Sequence, residues 1–200
     1  MNKDICGVIL AGGRSSRFGS NKALALFENK PLIVHIAGLF REIFEEVVVV
    51  SRDAAELDVL KNFELRFISD LLPDFHPLGG LYSALSQIKA GAIVATACDT
   101  PKIQRGLIEI LRDTPLAYAG AACRYNGVVQ PLPGLYRKNL LGLLELMIRE
   151  EGAGLADLCV RARARIYLEP EIRSADAEGL SFLDVDTFED LRKMESHASI

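Results

Sequence analysis

The strongest constraint in the chain is a short apolar run, Ile5–Leu10, that breaks directly into Leu-Ala-Gly-Gly-Arg-Ser-Ser-Arg-Phe-Gly-Ser-Asn-Lys at residues 10–22. A strand that ends in glycines and bases is poorly made for core packing and well made for a polyphosphate. Gly12, Gly13 and Gly19 let the backbone turn tightly and approach a ligand closely. Successive backbone N–H groups in such a turn form an anion-binding concavity. Arg14, Arg17 and Lys22 place positive charge beside it. The spacing excludes two common phosphate motifs. A dinucleotide fingerprint needs Gly-x-Gly-x-x-Gly, and a P-loop needs Lys directly after its last Gly, whereas Ser20 and Asn21 separate Gly19 from Lys22.

Downstream, apolar runs alternate with segments of helical period. Strands are predicted at Val47–Val50, 65–69, Ala92–Ala97, 116–122, 128–136, 165–168 and 182–185. Helices are predicted from Pro31 onward, where Leu32, Ile36, Leu39, Phe40 and Phe44 recur, and at 78–89, 104–111, 140–150, 154–159 and 187–194. In the last of these Thr187 serves as N-cap, with Asp190 three residues on. Such alternation argues for an α/β fold with a mainly parallel sheet covered on both faces. Ligands of such sheets bind outside the carboxyl ends of the strands. Four polar clusters are expected there: 12–22, 51–53, Asp70 and 99–100.

The chain has 200 residues, half of them hydrophobic, which suits one domain over 1–200. A net charge of −4 gives no general reason to bind nucleic acid or an anionic membrane, so cation for phosphate must be local. Cys6, Cys98, Cys123 and Cys159 form no Cys-x-x-Cys pair and read as reduced, mostly buried thiols. A polar start and the lack of any long apolar stretch point to a cytoplasmic protein. The apolar 140–148 segment suits core burial or a partner surface.

Asp99, in Cys98-Asp99-Thr100-Pro101, ends an apolar strand. It reads either as a Mg²⁺ ligand, since magnesium takes one or two carboxylates plus substrate phosphates, or as a cap for the 104–111 helix. Asp70 reads either as a contact to ribose or metal-bound water, or as a turn residue. Asp184 and Asp186 share one face of an extended segment and read as ligands to a second magnesium or to the second substrate, with Asp186 alternatively leading into a helix cap. His35 belongs to a helix surface or core edge; His76, in His76-Pro77-Leu78-Gly79-Gly80, is the better histidine for ligand contact. No Ser/His/Asp or Cys/His arrangement stands out, so a covalent hydrolytic mechanism is disfavoured.

Leu10-Ala11-Gly12-Gly13-x-Ser15-x-Arg17-Phe18-Gly19-x-x-Lys22, Pro77-Leu78-Gly79-Gly80-Leu81, Cys98-Asp99-Thr100-Pro101, residues 130–136 and the closing 184–191 together resemble the molybdenum cofactor guanylyltransferases over nearly the whole chain. The resemblance implies a three-layer α/β/α sandwich of nucleotide-diphosphosugar-transferase type with a mixed, mainly parallel sheet. It implies transfer of GMP from GTP, with Mg²⁺, to the phosphate of molybdopterin, releasing pyrophosphate. It also implies transient contact with cofactor-carrying or molybdoenzyme proteins. Carried over, Leu10, Ala11, Gly12 and Gly13 line the guanine and phosphate site, Lys22 contacts phosphate with Arg17, Ser51 and Asp70 lie beside base and ribose, and Asp99 holds magnesium. Gly79, Gly80, Asp184 and Asp186 belong to the acceptor side, with Asp186 also a candidate metal ligand. The family usually has Asp at position 21, Asn at 51, a pair of asparagines at 184 and 186, and Pro at 188. These departures keep two other readings open: a cytidylyltransferase or other small-molecule nucleotidyltransferase, and a catalytically silent nucleotide-binding accessory protein.

Overall fold

The computed structural model describes residues 4–12, 21–52, 54–72 and 78–196. β1 (Ile5–Leu10) is followed by a short hairpin, β2 (Leu26–Phe27) and β3 (Lys30–Pro31), turned through Glu28 and Asn29 at positive φ. Pro31 then opens α1 (Leu32–Ile43), whose buried Leu32, Ile33, Ile36, Ala37, Phe40 and Ile43 make one apolar stripe. After β4 (Val47–Val50) and β5 (Arg66–Ile68) come α2 (Gly79–Gln87), β6 (Ala92–Ala97) and α3 (Arg105–Arg112). The remainder comprises β7 (Gly120–Tyr125), β8 (Val128–Arg137), α4 (Leu141–Ile148), α5 (Leu155–Arg161), β9 (Arg165–Tyr167), α6 (Glu169–Ile172) and α7 (Phe188–Ser196).

Among these residues seven strands form one sheet in the order β5-β4-β1-β6-β8-β7-β9, and β8 alone runs antiparallel to its neighbours. Its strands are apolar on both faces because helices cover both. Ile5, Ile9, Val47, Val49 and Val94 pack with α1 and α3 on one side. Cys6, Val8, Val48, Val50, Ile93 and Ala95 pack with α2, α4 and α5 on the other. Leu144 and Met147 of α4 are buried in that second layer, so core packing accounts for most of the apolar 140–148 segment, although Leu146 stays exposed. The α/β/α sandwich and mainly parallel sheet are therefore as the sequence implies.

The register sets up the site. Leu10 pairs with both Val50 and Ala97, and Val50 pairs with Ile68. Four parallel strands thus end in one row, and the chain segments leaving β1, β4, β5 and β6 share one edge. β8 parts from β6 before its prolines: only Gly134–Arg137 pairs with Ala92–Ala95. Pro131 and Pro133 lie where the β7–β8 register jumps, a position that tolerates a missing N–H.

Two predicted strands differ. Residues 116–118 form an exposed turn, with Leu116 at 84% exposure, and the strand starts only at Gly120. Residues 182–185 are not a strand. Leu180–Phe182 is a 3-10 turn because the Asp176 carboxylate accepts the N–H groups of Leu180 and Ser181, and Val185 makes a single backbone bond to Asp99 instead of a ladder. The 3-10 segment Ala54–Phe63, the β2–β3 hairpin and α6 were not predicted.

Candidate active site

Where β1 and β6 end, Lys22 stands between two carboxylates. Its Nζ lies 2.7 Å from Asp99 Oδ2 and 2.7 Å from Asp186 Oδ1. Each partner arrives by a different route. Lys22 starts a 3-10 turn, Lys22–Leu24, capped by Asn21, whose Oδ1 accepts from Ala23 N–H while its Nδ2 donates to Glu56. Asparagine can do both; an aspartate at position 21 could not donate to Glu56. Asp99 follows the buried β6, and its carbonyl accepts the N–H of Val185 at 2.9 Å, drawing the C-terminal segment across the strand end. Asp186 therefore meets Lys22 from the far end of the chain.

The Lys22 side chain is 14% exposed and that of Asp99 20%, while Asp186 is 60% exposed. Burial alone pulls the Lys22 ammonium down, but its hydrogen bonds and charge contacts with Asp186 and Asp99 outweigh this and leave it above the usual lysine value. Lys22 is thus fully charged at neutral pH. The nearby Asp184 carboxyl is pushed up to about 6, by burial first and by the charges of Asp99 and Asp186 second, with Lys22 opposing. Lys22 thus faces Asp99, Asp184 and Asp186 together. Among the described residues Asp99 Oδ1 is buried and accepts no hydrogen bond, a costly arrangement for an anionic oxygen unless a cation meets it. Among the described residues no three His, Cys, Asp or Glu side chains converge as a ready metal cage.

The alternative role of Asp99 as a helix cap is not what the structure shows. α3 starts after Gln104 with no side-chain cap, the Gln104 N–H donates to Ser181 Oγ, and Asp99 is turned toward Lys22. Asp70 is instead a loop organiser. Its Oδ1 accepts from Leu72 N–H and Ser83 Oγ–H, Arg52 lies 3.9 Å from Oδ2, and only 8% of the side chain is exposed. Ser51 is buried at the end of β4. Leu10, Ala11 and Gly12 lie at the mouth of β1, with Ala11 N–H bonded to Val50 O. A Cβ on Gly80 would stand 3.1 Å from Leu10 Cδ2, and one on Gly79 would stand 3.1 Å from both Asp70 carboxylate oxygens, so both glycines sit in close quarters. Gly13, Arg17 and His76 lie outside the described residues. His35 bonds Phe27 O through Nε2, and its ring lies tilted at 59° to the Phe27 ring, so it serves the hairpin. All four cysteines are free; burial pushes the Cys6, Cys98 and Cys123 thiols up to about 12, so they stay protonated.

Two contributors lacked a usable sequence signal. Ser83 sits inside α2 and reads as an ordinary helix residue, yet its hydroxyl joins Leu71 N–H to Asp70. Glu56 sits in an unpredicted turn. Beside Asp184 lies a cavity of about 660 Å³, walled by Pro101, Lys102, Leu180, Leu183 and Met194, large enough for a heterocyclic ligand.

Comparison with known proteins identifies the fold and the family. A protein of Pelotomaculum thermopropionicum named probable molybdenum cofactor guanylyltransferase is 32% identical over 94% of this chain and 90% of its own length. One of the same name from Clostridium perfringens is 29% identical over 92% of this chain and 94% of its own. The crystal structure of molybdopterin-guanine dinucleotide biosynthesis protein A from Archaeoglobus fulgidus superposes with a TM-score of 0.83 at 25% identity, covering 97% of this chain and 98% of that one. The family model of the MobA-like NTP transferase domain matches residues 7–165. With most of its length inside that match and its paired Lys22 and Asp99 at the strand ends, this chain belongs to the MobA-like NTP transferase family.

Proposed function

We propose that the protein transfers GMP from GTP to the terminal phosphate of molybdopterin, releasing pyrophosphate and forming the guanine dinucleotide. The observation that carries this reading is the Lys22 ammonium held between Asp99 and Asp186 at the shared strand edge. The names borne by its relatives supply the substrates.

Phosphoryl chemistry of this type rests on positioning and charge neutralisation. An oxygen of the acceptor phosphate attacks the α-phosphorus of GTP; the new P–O bond forms as the bond from α-phosphorus to the bridging oxygen breaks, and pyrophosphate leaves with the electron pair. Lys22, already charged, offsets the negative charge that gathers on the leaving group. The attacking phosphate needs no strong base, because its second pKa of about 6 leaves it mostly doubly ionised. Asp99 and Asp186 are the residues that would hold Mg²⁺, and the buried, hydrogen-bond-free Oδ1 of Asp99 fits a hard cation. When bound, Mg²⁺ supplies charge neutralisation and orientation of the phosphate oxygens. Gly79, Gly80 and Asp184 border the acceptor side, and the cavity beside Asp184 offers room for its heterocycle.

The test is pyrophosphate release from GTP, CTP, ATP and UTP, each with Mg²⁺ and purified molybdopterin. Release with GTP alone is expected. Release with CTP in its place would make the enzyme a cytidylyltransferase, and nucleotide binding without any release would make it a silent binder; either result overturns the proposal.

A further inference from the structure

The Thr187–Asp190 pair does more than begin α7. Thr187 Oγ1 accepts from Asp190 N–H at 3.2 Å, and Asp190 Oδ2 accepts from Thr187 N–H at 2.7 Å and from its hydroxyl at 2.8 Å. That exchange is a capping box and suffices to start a helix. The same Oδ2 also accepts the N–H of Asp186 at 3.0 Å, a residue ahead of the helix. Asp186 is the exposed partner of Lys22 and has little packing to hold it. Next to it, buried Val185 is tied to Asp99 O at 2.9 Å. The backbone that presents the Asp186 carboxylate is thus pinned on one side to the strand end and on the other to the first turn of α7.

We infer that Asp190 is a positioning residue for the transfer reaction, acting through Asp186. It fixes the backbone from which that carboxylate reaches Lys22, and so sets the geometry of the phosphate site. This rests on the role proposed above for Asp186. The chemistry of the two members of the box separates the roles. Thr187→Val removes the hydroxyl and with it the cap on Asp190 N–H, but leaves both amide bonds to Asp190 Oδ2. Asp190→Ala removes the cap and the anchor together. Asp190→Asn keeps an oxygen that accepts the same amides.

The experiment measures pyrophosphate release with GTP and molybdopterin, and the Mg²⁺ concentration for half-maximal rate, in the wild type, Thr187→Val, Asp190→Ala, Asp190→Asn, Asp186→Ala and the Asp186→Ala/Asp190→Ala double variant. Amide hydrogen exchange at Asp186 is followed in the ligand-free protein. Asp190→Ala should lower kcat about tenfold and raise the Mg²⁺ requirement several-fold, with faster exchange at Asp186. Asp190→Asn should recover most of the rate, Thr187→Val should stay within about twofold, and the double variant should be no slower than Asp186→Ala. Equal losses in Thr187→Val and Asp190→Ala, a double variant slower by the product of the single losses, or unchanged exchange at Asp186 would overturn the inference. If the wild type releases no pyrophosphate, the proposed function falls, while the exchange data still decide whether Asp190 anchors Asp186.

Discussion

Replacing Lys22 by methionine keeps most of the side-chain volume and removes the ammonium that pairs with Asp99 and Asp186 and opposes the charge of Asp184. Two separable losses follow. The first is stability. Breaking a buried ion pair by removing one partner costs about 3–5 kcal/mol. Asp99 is 20% exposed and Asp186 60% exposed, so water screens part of the uncompensated charge and about 2 kcal/mol remains. For a chain of this size that lowers Tm by roughly 4–8 °C. The deficit depends on pH. Lys22 holds Asp184 down, so without it the Asp184 carboxyl titrates above its present value of about 6. A raised carboxyl destabilises the ionised fold at high pH and is relieved as protons bind, so the deficit shrinks between pH 7.5 and pH 5. The second loss is turnover. Removing one preorganised charge from a phosphoryl site costs up to about a thousandfold in kcat, or about 4 kcal/mol of barrier. Urea unfolding at the two pH values and pyrophosphate release at a temperature where the variant is fully folded measure them independently. Wild-type turnover in a folded Lys22→Met protein would refute the catalytic assignment. A urea midpoint unchanged at pH 7.5 would refute the claim that Lys22 compensates these acids.

Two further outcomes follow from other parts of the molecule. Asp184→Asn removes a carboxyl whose pKa is raised to about 6 from 3.8; the folded wild type holds the extra proton between those values and loses that stabilisation as pH rises through 6. The variant should therefore match the wild type near pH 4 and exceed it by about 1 kcal/mol at pH 7.5, after allowance for solvent screening, as read by thermal unfolding across pH; equal stability at both pH values would contradict this. Gly134→Ala would put a Cβ 2.3 Å from Pro131 O and 2.9 Å from Ala121 O, both backbone atoms that cannot step aside. A loss of about 3 kcal/mol is expected from such overpacking, and an unchanged urea midpoint would show that β8 relaxes there.

Strands buried on both faces were the most legible part of the sequence. Ile5–Leu10, Val47–Val50 and Ala92–Ala97 are each a largely apolar run followed by a polar or glycine-rich segment, and their bounds match the structure. Long helices with a clear stripe, such as α1, were equally plain. Elements held by side-chain-to-backbone bonds were not. Phe182 and Val185 look like strand residues because both are apolar, yet the segment is shaped by the Asp176 carboxylate just upstream, which accepts two of its amides, and by one bond to Asp99 O from far back in the chain. Period alone cannot distinguish an apolar residue that faces a core from one that pairs in a ladder.

The site divides along the same line. Lys22 and Asp99 were readable because each follows a strand that must be buried, and parallel strands must end together; their 2.7 Å contact follows from topology once the strand order is known. Asp70 was ambiguous because a carboxylate after a strand serves a ligand or a turn with equal chemistry, and its bonds from Leu72 N–H and from Ser83 on α2 show it holding the turn. Asp186 was readable as a carboxylate of an extended segment, for a second magnesium or the second substrate, but its contact with Lys22 depends on Val185 crossing the end of β6. No local pattern encodes that crossing. It exists because Val185 is buried with Phe27, Leu32, Leu191 and Met194, an apolar cluster that joins the short hairpin to α7. That apolar cluster therefore delivers the second carboxylate to the lysine, and truncations within it, such as Leu191→Ala, should loosen the Lys22–Asp186 contact.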